Sequence, residues 1–353
     1  MYKRFLLFVF SLASISGFSQ TTYYFQGGIL SDVANWNTIN VGGGSTPPDF
    51  DNANDIWNLN DKTTATCFTW DLAGHLMGGS TTLTQISSTG IIKLKGDVTT
   101  NGNITINDFA IEYTYTADPV DIIPGNHDFL ILNTNVQGTS TGNISTTTDL
   151  NIYTGAVLDM ATYTLSTDSN TNGANPSASG TIKTQNTSST PLTLSSGNWL
   201  ATIEYNAVGN QTVVAGEYEG GLIIGSGGVK SANGDLTVHF SLSLNGILDM
   251  VTHQLLDGSS AFTLSGSSAL RTQSTNNPPI PSGKTWSTVV FNGTSGTQYI
   301  PEGTYAVLGE TGNPQLISHE ATGDITITGQ LFDLGVNLDM KTFRILSDGD
   351  GFT

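Results

Sequence analysis

The sequence predicts an all-β protein folded as a right-handed parallel β-helix, or solenoid, with an N-terminal capping region. Three observations carry this. First, Leu158-Asp159-Met160 returns as Leu248-Asp249-Met250 and again as Leu338-Asp339-Met340, each step being 90 residues. The flanks return with it, since Thr162-Tyr163-Thr164-Leu165, Thr252-His253-Gln254-Leu255 and Thr342-Phe343-Arg344-Ile345 follow the three triplets. A fixed internal period is the signature of a repeat architecture. Second, 37% of residues are hydrophobic and only 11% are charged, and the remaining polar residues are mainly Thr, Ser, Asn and Gly. Thr, Val, Ile and aromatics favour strands, while Gly, Asn and Asp mark turns. No window shows the 3.6-residue periodicity of a helix. Third, Trp199-Leu200 and Trp286-Ser287 pass straight from one copy into the next, and runs such as Leu236-Thr237-Val238 are short. Tandem immunoglobulin-like sandwiches of about 100 residues each are the alternative, but they would be expected to show linkers.

In chain order, residues 1–19 read as a signal peptide. Lys3 and Arg4 precede the apolar run Phe5–Phe10, and Gly17-Phe18-Ser19 offers small residues for cleavage before Gln20. Ser11, Ser14 and Ser16 interrupt the run, and no later segment approaches the roughly 20 apolar residues of a membrane span. The expected location is secreted or at the cell surface. Loss of Lys3 and Arg4 takes the formal charge from −18 to −20. Such an acidic balance argues against nucleic acid and anionic lipid as partners. With Cys67 as the single cysteine, no internal disulfide can form, so packing and backbone hydrogen bonds must hold the fold. Cys67 sits in the strand-like run Thr66–Trp70, where a buried, unreactive thiol is expected.

Residues 20–102 do not follow the repeat. They hold Trp36, Trp57 and Trp70 and the obligatory loop Gly42–Pro48, and read as the atypical end unit that a repeat array requires. Three β repeats follow at 103–199, 200–286 and 287–353. Each opens on a strand ending in an aromatic, Tyr113, Tyr205 or Phe291, followed by a run containing Gly and then His127, Tyr218 or Tyr305. Adding the period to Phe262-Thr263 gives Phe352-Thr353, the last two residues. The expectation is that the third repeat is truncated inside a strand and the native chain continues.

Gly-Asp-Leu-Thr-Val at 234–238, Leu-x-Leu-x-Gly-x-Leu-Asp-Met-x-Thr at 242–252 and Gln-Thr-Val-x-x-Gly-x-Tyr at 211–218 resemble the repeats of large flavobacterial cell-surface adhesin-like proteins. A leader ending Gly-Phe-Ser-Gln is similar to theirs. The resemblance covers about 103–353 and implies a β-helical stalk or adhesin exported by type IX secretion, with a C-terminal sorting domain that this chain does not show. It carries over no catalytic residue.

Chemistry is sparse. His75, His127, His239, His253 and His319 form no metal-ligand spacing, and His127 and His253 stand where other copies have Tyr or Phe, so they are expected to pack within the repeat. No nucleophile elbow or phosphate loop occurs. The repeated Asp159, Asp249 and Asp339 read as turn caps, since copies 90 residues apart would lie about four coils from one another. Carboxylates acting together on a glycosidic bond need to lie within roughly 5–10 Å. No cofactor is implied. Calcium has one candidate loop, in which Asp49, Asp51, Asn52, Asn54 and Asp55 offer oxygens, and a shorter one at Asp348-Gly349-Asp350-Gly351. Neither completes the calcium-loop pattern with its distal Glu.

The expected function is therefore a secreted, non-catalytic adhesin or stalk. Its partner would be an extracellular glycan or protein surface, or other chains of the same layer or filament. A carbohydrate-active β-helix lyase or hydrolase is the alternative and should break the repeat with charged residues clustered in one copy. The sequence shows no such cluster. A glycan-binding module is a third reading, with Trp36, Trp57 and Tyr23-Tyr24 as contacts.

Overall fold

The computed structural model describes residues 20–59, 64–67, 70–77, 82–85, 91–99, 105–117, 119–169, 180–259, 262–311, 317–332 and 338–347. The leader 1–19, the loop 348–351 and the terminal Phe352-Thr353 lie outside them, as does the Cys67 side chain, although its backbone belongs to the strand Thr64–Cys67. The chain is an all-β parallel solenoid of about 12 turns. Every described strand pairing is parallel except that of Thr22–Phe25 with Trp36–Asn37.

Alternation within each short strand explains the architecture. Thr202–Tyr205, Val229–Ala232 and Ser241–Leu244 all bury every second residue, so one face of each strand fills the interior while Thr202, Glu204, Val229 and the serines lie on the other. Successive coils then stack like on like. One ladder runs Leu158–Ile182–Ile203–Leu222–Leu242–Leu264, the first five of them buried. Each fully buried Leu or Ile contributes roughly 1.5–3 kcal/mol, and backbone groups pair with the coils above and below.

This ladder shows how the 90-residue period relates to the coil. Four coils carry the chain from Leu158 to Leu242, 84 residues on, so Leu248 falls six residues later, in the following strand and the next sheet. Leu158-Asp159 lies in one eight-stranded sheet, Leu248-Asp249 in the second, and Leu338-Asp339 in a three-stranded sheet. The signature therefore recurs on three different sheets instead of stacking upon itself. A repeat of slightly more than four coils rotates about the shaft with each copy.

The described residues of 20–102 form coils of the same kind. Thr22–Phe25, Ile56–Asn58 and His75–Met77 form a parallel ladder, and Thr82–Gln85 continues into Thr105–Tyr113 of the first repeat. What sets it apart is its core. The excursion between Phe25 and Ile56 folds Trp36 and Phe50 against Trp57 and Trp70, with ring centroids 4.7–6.2 Å apart.

Candidate functional site

The sequence-predicted glycan contacts are not at the surface. Trp36 and Trp57 have no solvent exposure, the Trp36 indole N–H donates to the Leu30 carbonyl at 2.8 Å, and Tyr23 stacks on Trp57 at 5.0 Å. The reading of these tryptophans as exposed is corrected: their large rings pack into the core of this region.

The loop holding Asp49, Asp51, Asn52, Asn54 and Asp55 directs several of its oxygens at its own backbone and side chains. Asp49 accepts from the Asp51 N–H, Asn52 from the Asn54 N–H, and Asp55 from the Asn52 amide and the Thr21 N–H. Asp55 is buried, and that burial raises its carboxyl above the usual range. Asp49 and Asp51, with Asp32 and Asp71, line an open depression of about 510 Å³, but the carboxylates do not converge on one point.

The repeated aspartates cap turns. Asp159, Asp249 and Asp339 each accept from the backbone N–H two residues on, at 2.8–2.9 Å. The residue receiving this bond, Ala161, Val251 or Lys341, has φ of 47°, 51° and 51°. A side chain that caps its own loop is the device that holds a non-glycine residue in this left-handed region.

The interior corner of each repeat carries a second recurring arrangement. His127, Tyr218 and Tyr305 all donate to the carbonyl four residues earlier, of Ile123, Val214 and Pro301. In the first two copies a further tyrosine, Tyr113 or Tyr205, accepts from the backbone N–H of that same earlier residue, at 2.9 and 3.1 Å. His127 thus packs inside, as expected, and burial pushes its imidazole down to about 4. His253 does not: it lies partly exposed, 3.9 Å from Asp235.

Two more buried groups were not anticipated. Lys230, with no exposed surface, donates to the carbonyls of Ala207, Gly209 and Gly227 at 2.5, 3.0 and 2.6 Å, and burial pulls its ammonium below the usual lysine value. His319 lies against Phe291 and 3.9 Å from Glu310, both members of the His–Glu pair being buried. Burial pushes His319 down to about 4.

At the surface, stacking assembles a group that the sequence does not reveal. Glu217 and Glu219 point outward two residues apart, and His239 reaches them from the next coil, Glu217 being paired in register with Thr237. Nε2 of His239 lies 3.3 Å from Glu217 and Nδ1 lies 3.8 Å from Glu219. Among the described residues, this is the one group of three His, Cys, Asp or Glu side chains whose ligand atoms all lie within 4.8 Å of one another. Asn198 donates to Glu219 at 3.0 Å. Beside it, a cleft of about 210 Å³ is walled by Leu192, Leu194, Trp199 and Val214, with Glu217 on its rim. The only signal in the sequence was the pair Glu-x-Glu on one strand face, because the histidine arrives 20 residues later. Comparison with protein-family models, curated proteins and solved structures gives no match for this chain.

Proposed function

We propose that the chain is an exported, non-catalytic stalk or adhesin. The observation that carries this reading is the dispersal of the signature over three sheets, with each aspartate engaged in its own turn. Carboxylates used together on one glycosidic bond must converge, whereas copies wound about a shaft give its sides similar turns. The ladders of small apolar side chains further support a load-bearing role, because each coil is held along its length by its neighbours. The leader-like residues 1–19 and the acidic, cysteine-poor composition suit an extracellular location. An extracellular glycan, a protein surface or other chains of the same layer are the proposed partners.

Incubation of the purified chain with pectins, alginates and other acidic and neutral glycans tests this reading. The expected result is no release of products. Sustained formation of unsaturated or reducing ends overturns it in favour of a carbohydrate-active β-helix.

A further inference from the structure

We propose that Glu217, Glu219 and His239 form a surface site for a transition-metal ion of the Zn²⁺ class, a property separate from the stalk reading. The donor set argues the class. A ring nitrogen with two carboxylates suits Zn²⁺ and its first-row neighbours, whereas Ca²⁺ and Mg²⁺ take oxygen ligands. The 3.3 Å between His239 Nε2 and Glu217 is close to the ~3.3 Å that two ligands at about 2.0–2.1 Å subtend across a tetrahedral angle. Glu219 lies against the other ring nitrogen, Nδ1, at 3.8 Å, and completes the set by a side-chain rotation toward Nε2, its oxygen already lying within 4.8 Å of the other donors. Three protein ligands leave a position open for water or for a donor from a bound molecule.

Two observations beyond the donor distances point to a ligand here. The first is the cleft that Glu217 lines with Leu192, Leu194, Trp199 and Val214, a concave, largely apolar space next to one of the three donors. The second is that the two carboxylates and the imidazole occur together in the second copy alone. Strand register aligns Glu217, Glu219 and His239 with Asn126, Asp128 and Thr147 in the first copy and with Thr304, Ala306 and Thr328 in the third. The first copy keeps a carboxylate, Asp128, at the Glu219 position, but neither other copy has a carboxylate at the Glu217 position or an imidazole at the His239 position. The ring is also held in place: a Cβ on Gly258, in the coil beyond, would come within 2.6 Å of the His239 imidazole, so the glycine leaves the imidazole its seat.

Titration of the metal-free chain with Zn²⁺ alone, followed by calorimetry, tests the proposal. We expect one equivalent to bind, and His239→Ala and Glu217→Gln each to weaken it at least tenfold. Circular dichroism checks that the variants keep their fold. X-ray absorption at the zinc edge, on the unaltered chain, is expected to show one imidazole and oxygen scatterers. Absence of saturable binding, unchanged affinity in His239→Ala, or a sulfur-dominated shell from Cys67 overturns the assignment. Displacement of Zn²⁺ by equimolar Ca²⁺ also overturns it.

Discussion

The second and third copies solve the same interior corner in opposite ways. In the second, Tyr205 accepts from the Val214 N–H and contacts the Tyr218 hydroxyl at 3.2 Å. In the third, Phe291 has no hydroxyl to offer, and the residue at the Val214 position is Pro301, which has no N–H to satisfy. The two changes cancel. Deeper in the coil, strand register places Ile224 and Lys230 of the second copy where the third has Glu310 and His319. The second copy feeds a buried cation three carbonyls, while the third sets an acid beside a base. What the repeat preserves is the satisfaction of buried polar groups rather than residue identity, as the cost of an orphaned buried donor or acceptor, about 1–3 kcal/mol, requires.

Breaking the cage is the largest way to disturb this comparison. Lys230→Met keeps the apolar stem and strands the carbonyls of Ala207, Gly209 and Gly227, so unfolding in urea should show a loss of about 4 kcal/mol. The corner histidine of the first copy gives a pH-dependent contrast. Folded His127 stays neutral down to about 4, while the unfolded chain takes up its proton near 6.5. The contribution of the neutral ring is therefore complete above about pH 6.5 and lost as pH falls toward 4, amounting to about 3 kcal/mol. His127→Tyr, which installs the residue of the other two copies, should remove that share of the acid sensitivity and leave the share due to His319. Stability profiles between pH 4 and 7 measure both. The smallest effect sharpens the Phe–Pro pairing. Pro301→Val adds an N–H facing Phe291 and should cost about 2 kcal/mol, and adding Phe291→Tyr should recover at least half of it in a double-mutant cycle.

These arrangements also mark how far the sequence could be read. The strand character of Leu236–Val238 and Ser241–Leu244 was legible because alternation is local. The capping role of Asp249 was legible for the same reason, its partner lying two residues away. By contrast, Trp36 and Trp57 looked like surface aromatics because nothing local distinguishes a stacking platform from a core ring. The departure of Glu310 and His319 from the repeat was present in the sequence, but the two meet only across neighbouring strands of a coil. The carboxylate–imidazole group was hidden by the same cause: Glu219 and His239 are adjacent only once one coil lies upon the next.

By itself, the sequence determined the all-β class, the 90-residue copies and the turns that their aspartates cap, all of which follow from spacing and from contacts between near neighbours. The tertiary structure alone decided that Asp159, Asp249 and Asp339 face three different ways, and that Glu217, Glu219 and His239 meet. The period of the sequence counts residues, whereas the coil length, which varies along the shaft, is set by how each strand finds its register on the one before. Four coils fall six residues short of one copy, and that mismatch turns the repeat about the shaft.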